Sequence, residues 1–100
     1  MALETVPFDA AKYLETQADQ AEYLTDVLAA GDPAAFAHAI GVVARARGMS
    51  TVSRGAGVQR ANLYRALSKD GHPEMATIIK VVQSLGLRLA VLPAEQAKAI

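Results

Sequence analysis

The sequence predicts an all-α domain of five to six short helices, with one short strand near the C-terminus. Apolar residues recur at intervals of three and four, as they do on the buried face of a helix. Asp, Ser or Thr precedes several of these stretches, and glycine follows them. A chain of 100 residues, 52% hydrophobic and 20% charged, has the size and composition of one globular domain. We therefore expect a single domain over residues 1–100, with acidic N-terminal helices in 1–31, a helical core in 33–85 and a strand and tail in 86–100.

The first two predicted helices are short and acidic. One covers residues 10–14 after Asp9. The next begins at Thr16 or Asp19, since both side chains can accept a hydrogen bond from a free helix amide, and it continues to about residue 30.

Asp32 and Pro33 predict the start of a third helix. An aspartate side chain caps free amides, and proline at the first helical position gives up no hydrogen bond. This helix is expected to end near Arg47 and Gly48, because glycine readily takes the conformation that closes a helix.

The next two helices form a closely spaced pair. Ser50 is predicted to cap the first, which continues to about residue 56, and the second covers about 59–67. Gly57 allows the tight turn between them, since glycine adopts positive φ at no steric cost, and Val58 is expected to be buried after it. This order is typical of a helix-turn-helix, whose second helix lies in the major groove of DNA.

The last predicted helix covers 74–85. In the segment after it, apolar and other residues partly alternate, as they do in a strand with one buried face. The apolar positions of the helix are Met75, Ile78, Ile79, Val82 and Leu85. A strand over 87–92 would leave backbone groups unpaired in a helical chain, so Leu87, Leu89 and Val91 are candidates for a dimer contact. An extended tail packed on the helices is the alternative.

The formal net charge of zero hides two halves of opposite sign. Residues 1–43 carry seven acidic side chains and one lysine, a net charge of −6, and residues 44–100 have a net charge of +6. Residues 44–69 contain six basic side chains and no acidic one. A basic surface of this kind favours a polyanion as partner.

Several stretches of the chain resemble the addiction-module antidote proteins, which are HigA-like antitoxins. They are VPFDAAKYL, IGVVARARGMS, RANLYRALSKDGHP and TIIKVVQSLGLRLAVLP, and the helix pair resembles the helix-turn-helix of the phage Cro and cI repressors. The resemblance implies a homodimer that binds its own double-stranded operator DNA and neutralises a RelE/ParE-like toxin. Gln59 departs from the family pattern, where serine or threonine usually caps the second helix, and so does Gly55, where a larger residue is usual.

The predicted DNA interface contains residues of two kinds. Arginine pairs bidentately with guanine and glutamine with adenine, so Arg60 and Gln59 are the strongest candidates for reading bases. The further predicted base-reading residues are Asn62, Tyr64 and Arg65, and the predicted phosphate contacts are Arg45, Arg47, Arg54, Ser68 and Lys69.

Four carboxylates in the N-terminal region follow helical spacing and have no histidine or cysteine beside them. A solvated helix face is the ordinary interpretation, and a toxin-binding surface is the functional one. The residues are Glu15, Asp19, Glu22 and Asp26.

Catalysis, a cofactor and a metal site are not expected. The chain has no cysteine, two histidines, no nucleophile–base pair and no phosphate-binding glycine loop. It also has no secretory signal pattern and no apolar stretch of about 20 residues, so we expect a cytoplasmic protein without membrane contact. Two other functions remain open: a stand-alone prophage-type repressor, and a helical module whose basic face binds an acidic protein.

Overall fold

The computed structural model describes residues 15–68 and 70–94, and this part of the chain is helical without any strand. The all-α prediction is confirmed for it. The helix predicted over 10–14 lies outside the described residues, as does most of the tail after Pro93. The helices are α1 (Gln17–Ala29), α2 (Pro33–Arg47), α3 (Met49–Ala56), α4 (Arg60–Ala66) and α5 (Met75–Ser84).

The first two helices begin at the predicted capping residues. The Thr16 hydroxyl oxygen accepts a hydrogen bond of 3.0 Å from the amide of Asp19 at the start of α1. At α2, Asp32 Oδ1 accepts from the amides of Ala34 at 3.0 Å and Ala35 at 3.4 Å, directly after Pro33. These bonds satisfy amides that have no partner within the helix.

The predicted cap at Ser50 is wrong. Helix α2 ends at Gly48, whose φ of 103° turns the chain, and α3 begins at the next residue, Met49. Gly48 therefore serves both helices, and its carbonyl accepts from the amide of Val52 at 3.1 Å. Ser50 lies in the first turn of α3 and is exposed.

Helix α2 is the centre of the core. It packs against α1, α3 and α5, so it is buried on several sides. Part of its buried surface is made of small residues, Ala37, Ala39, Gly41 and Ala44. At Gly41 the chain comes close to the backbone of α2, since an added Cβ would lie 2.9 Å from Leu67 O. The larger buried side chains of α2 are Phe36, Ile40 and Val43. Those of other segments that complete the core with them are Leu24, Val52, Leu63, Leu67, Val81, Val82 and Leu85.

Helix α5 buries a narrower face than its sequence predicts. Ile78, Val82 and Leu85 lie in the core as expected, and Val81 joins them. Met75 is 66% exposed, because α5 packs against α3 and α2 along one side only. Ile79 is also exposed.

The predicted strand Leu87–Leu92 is not formed. Gly86, with φ of 77°, ends the turn after α5, and the amide of Leu87 donates to Val82 O at 3.1 Å. Leu87 packs against the core, and residues 88–93 continue without regular structure. A strand requires a second strand to pair with, and the described residues provide none.

Candidate nucleic-acid interface

The turn between α3 and α4 has the conformation predicted from its glycine. Gly57 is left-handed, with φ of 69° and ψ of 32°. The amides of Gly57 and Val58 both donate to Ser53 O, at 3.0 and 3.1 Å, and the Ser53 hydroxyl donates to Val58 O. These bonds fix the direction in which the chain leaves α3, and Val58 is half-buried against the core.

Helix α4 has one buried side and one side in solvent. Leu63 and, just after the helix, Leu67 are fully buried, which anchors α4 to the core as predicted. The five residues predicted to read bases all lie on the exposed side. They are Gln59, Arg60, Asn62, Tyr64 and Arg65.

These five side chains hold one another in two groups. In one group, Arg65 Nη1 donates to Asn62 Oδ1 at 3.2 Å, and Asn62 Nδ2 donates to Gln59 Oε1 at 3.4 Å. In the other, the Arg60 guanidinium carbon lies 5.5 Å from the centre of the Tyr64 ring, and Arg60 Nη2 is 3.4 Å from the Tyr64 hydroxyl. At that distance the cation is attracted to the face of the ring. The contacts restrict side chains that would otherwise sample many rotamers.

The cations around α4 differ in what they contact. Arg45 and Arg54 are exposed, in the last turns of α2 and α3. Together with Arg60 and Arg65, they form no ion pair with any carboxylate of the described residues. Their charges are therefore available to an external anion. Ser68 is half-buried and its hydroxyl donates to Arg65 O at 2.8 Å, and Lys69 lies outside the described residues.

Arg47, predicted to contact phosphate, is directed into the protein. Its Nε and Nη2 donate to Gln20 Oε1 at 3.1 and 2.9 Å, and Nη2 also donates to Leu85 O at 2.5 Å. Gln17 Nε2 donates to the same carbonyl at 3.3 Å. The guanidinium thus connects α1, α2 and the end of α5. The sequence contains one indication of this interior contact. Gln20 is a polar residue one turn before Leu24, on the inward face of α1.

The four predicted toxin-binding carboxylates, Glu15, Asp19, Glu22 and Asp26, are all exposed. They lie on or just before α1, and none forms an ion pair within the described residues. Of the predicted dimer contacts, Leu87 is half-buried, Leu89 is 39% exposed and Val91 is 99% exposed.

The described part of the chain contains neither a cluster of metal ligands nor a helix that could span a membrane. Over residues 15–68 and 70–94, no group of three or more His, Asp or Glu residues could hold a metal ion. In the same residues, no helix has the length and apolar character required to cross a membrane.

Comparison with known proteins identifies the family. The family model described as "Probable addiction module antidote protein" matches residues 4–93. The chain belongs to this family. An antidote acts against a toxin, so membership of this family implies that the chain has a cognate toxin as its partner. A protein of Haemophilus influenzae (strain ATCC 51907 / DSM 11121 / KW20 / Rd), described as uncharacterized, is 39% identical over 84 residues, covering 84% of this chain and 87% of that protein. No solved structure gives a significant match.

Proposed function

We propose that this chain is a sequence-specific DNA-binding antitoxin of a type II toxin–antitoxin module, which neutralises a RelE/ParE-like toxin and represses its own operon. One observation carries the DNA-binding part. The exposed side of α4 holds Arg65, Asn62 and Gln59 in one hydrogen-bonded group and Arg60 against Tyr64 in another, and α4 is joined to α3 by the left-handed turn at Gly57. The pair α3–α4 then serves as a Cro/cI-like helix-turn-helix, with α4 in the major groove.

The proposal assigns DNA contacts to the polar and basic side chains on and around α4. Arg60 pairs with the O6 and N7 atoms of a guanine, and Gln59 with the N6 and N7 atoms of an adenine, each pair contributing about 1–3 kcal/mol of discrimination. Asn62 and Arg65 hold neighbouring base edges or phosphates. Arg45 and Arg54, which are exposed and unpaired among the described residues, contact the backbone and position the protein. Arg47 is left out, because its guanidinium is bonded to Gln20 and Leu85.

One copy of α4 spans too few base pairs for useful specificity, so the proposal includes a homodimer that reads two half-sites about 34–36 Å apart. The contact through Leu87, Leu89 and Val91 was predicted from an unpaired strand, and no strand forms there. The dimer interface is therefore left unassigned. The protein acts by binding alone, in the cytoplasm, where DNA and toxin are both present.

A gel-shift experiment on the DNA upstream of the gene tests the proposal. Arg60→Ala should reduce the preference for this DNA over a random duplex by about 1–3 kcal/mol, or about 5- to 150-fold, with an unchanged circular dichroism spectrum. Arg45→Ala should weaken binding to both duplexes equally and lower the salt slope by about one. Lys80→Ala, which removes an exposed charge of α5, is the control and should change neither.

If the wild type and Arg60→Ala preferred the upstream DNA over a random duplex to the same degree, α4 would not be the helix that reads the bases. The absence of any salt-dependent binding to duplex DNA would instead favour a helical module whose basic face binds an acidic protein.

A further inference from the structure

Most of the large hydrophobic side chains that are exposed in the described chain lie away from α4. Seven large hydrophobic side chains are exposed in the described residues, and four of them line one cleft of about 470 Å³: Leu28, Met75, Leu89 and Val91. A second cleft of about 430 Å³ shares Leu28, Leu89 and Val91 with it and adds Leu92. Scattered exposed hydrophobics need no explanation, but a concentration of this kind marks an interaction surface.

We define the apolar cleft as the first of these two. Its walls are the end of α1, the residues that lead into α2, Gly71–Pro73, the start of α5 and Leu89–Val91. No residue of α3 or α4 lines it, so a partner bound there would leave the exposed side of α4 uncovered.

The charged residue that lines the apolar cleft is negative, and so are the two that flank its Gly71–Pro73 wall, whereas Arg88 lies beside Leu89 and lines the second cleft. Asp32 lines it directly, and Asp70 and Glu74 flank the wall formed by Gly71–Pro73. All three are exposed and form no ion pair within the described residues, and no lysine or arginine lines the cleft. An occupant must therefore combine apolar side chains with cations at its edges.

We propose that the apolar cleft docks a basic amphipathic segment of the toxin, an inference that rests on the toxin-neutralising part of the proposed function. The apolar side chains of the segment lie against Leu28, Met75, Leu89 and Val91, and its lysines or arginines face Asp32, Asp70 and Glu74. A toxin that acts on nucleic acid carries such cations for binding phosphates. A second copy of this chain would bring the same acidic residues to the contact from both sides, and it is one of the outcomes that the experiment distinguishes.

Affinity for the protein encoded by the adjoining toxin gene, measured by isothermal titration calorimetry with the full-length chain, tests this inference. The variant Met75→Ser/Val91→Ser should weaken toxin binding at least tenfold. Both side chains are highly exposed, so the fold should survive, and unchanged binding to the upstream DNA verifies that it does. The matched control is Ile79→Ser, which removes another exposed hydrophobic of α5 that lines neither cleft and should change the affinity less than twofold.

The charges are tested separately. Asp70→Lys/Glu74→Lys should weaken toxin binding at least tenfold at low salt, with a smaller difference from the wild type as salt is added. Glu15→Lys, which reverses an exposed charge before α1, is the control and should have less than a threefold effect.

Each outcome decides between the possibilities. Undiminished toxin binding by both double variants, with the wild type binding, overturns the docking site and leaves the proposed function intact. Loss of dimerisation in Met75→Ser/Val91→Ser on sedimentation, with toxin binding retained, assigns the cleft to a second copy and also overturns the proposal. Failure of the wild type to bind the toxin overturns the toxin part of the proposed function, and the docking site with it.

Discussion

Replacing Arg47 with alanine should cost this protein a large part of its stability. Arg47 makes three hydrogen bonds, two to Gln20 Oε1 and one to Leu85 O, and Gln20 is only 1% exposed. Hydrogen bonds to charged groups contribute about 1.5–3 kcal/mol each, and the substitution removes two of them from the buried Gln20 Oε1. Leu85 O keeps the bond from Gln17 Nε2. We therefore expect a loss of about 2–4 kcal/mol, against the 5–15 kcal/mol that is typical of a whole domain.

The measurement is urea unfolding followed by circular dichroism. Arg45→Ala, in the same last turn of α2 but exposed, is the matched control and should change the free energy of unfolding by less than about 0.5 kcal/mol. The loss of unfolding free energy in Arg47→Lys should lie between those of Arg47→Ala and Arg45→Ala, because an ammonium keeps the charge but lacks the planar arrangement of donors in a guanidinium. Gln20→Leu/Arg47→Met should recover most of the loss, since it removes donor and acceptor together.

A different result would refute this reasoning. If Arg47→Ala were as stable as Arg45→Ala and bound all duplexes more weakly, Arg47 would be the phosphate contact that the sequence predicted.

Three further substitutions test the local geometry by thermal unfolding. Gly57→Ala should destabilise by about 1–2 kcal/mol, because the left-handed conformation is strained for alanine although its Cβ would meet nothing within 4 Å; Gly57→Asn should cost less, and equal losses would argue against a conformational cause. Gly41→Ala should destabilise in spite of a helix-propensity gain of about 1 kcal/mol, because the new Cβ would lie 2.9 Å from Leu67 O; a raised melting temperature would contradict this. Gln59→Ser should stabilise by about 1 kcal/mol, because α4 begins without a side-chain cap; no gain would mean that the introduced hydroxyl does not reach the free amides.

Most of the helix boundaries were predictable from local signals, although Gly48 and not Ser50 precedes α3. The cap at Asp32, the turn at Gly57 and the inward positions of Leu63 and Leu67 follow from the chemistry of short segments, and all are present in the structure. The exposed positions of the α4 side chains were also predictable, because the residues that face inward determine which others face solvent.

The features that sequence reasoning missed depend on residues far apart in the chain. Arg47 has the sequence appearance of a surface cation, and only the folded positions of Gln20 and Leu85 make it an interior one. The alternation after Gly86 is equally compatible with a strand and with an extended chain lying on helices. The spacing of apolar residues also does not show how wide a face α5 buries. Met75 belongs to the apolar pattern of the helix, yet its side chain is exposed.

Gly55 shows how a departure from a family pattern can have a packing reason. A Cβ added there would lie 3.2 Å from the Cβ of Ser84, a closer approach than side chains ordinarily make. The absence of a side chain at this position allows α3 to lie close to α5. The weak helix propensity of glycine, about 1 kcal/mol worse than alanine, is thus offset by contact between the two helices.

The small residues of α2 also determine how the interior tolerates change. Truncating Ala37, Ala39 or Ala44 to glycine removes one methyl group each and leaves almost no void, whereas any enlargement forces neighbouring backbones apart. Truncation of the large core residues, such as Ile40, Leu63 and Leu67, would instead leave a cavity. The interior thus has two kinds of position: those on α2 that exclude added bulk, and those that must keep the bulk they have.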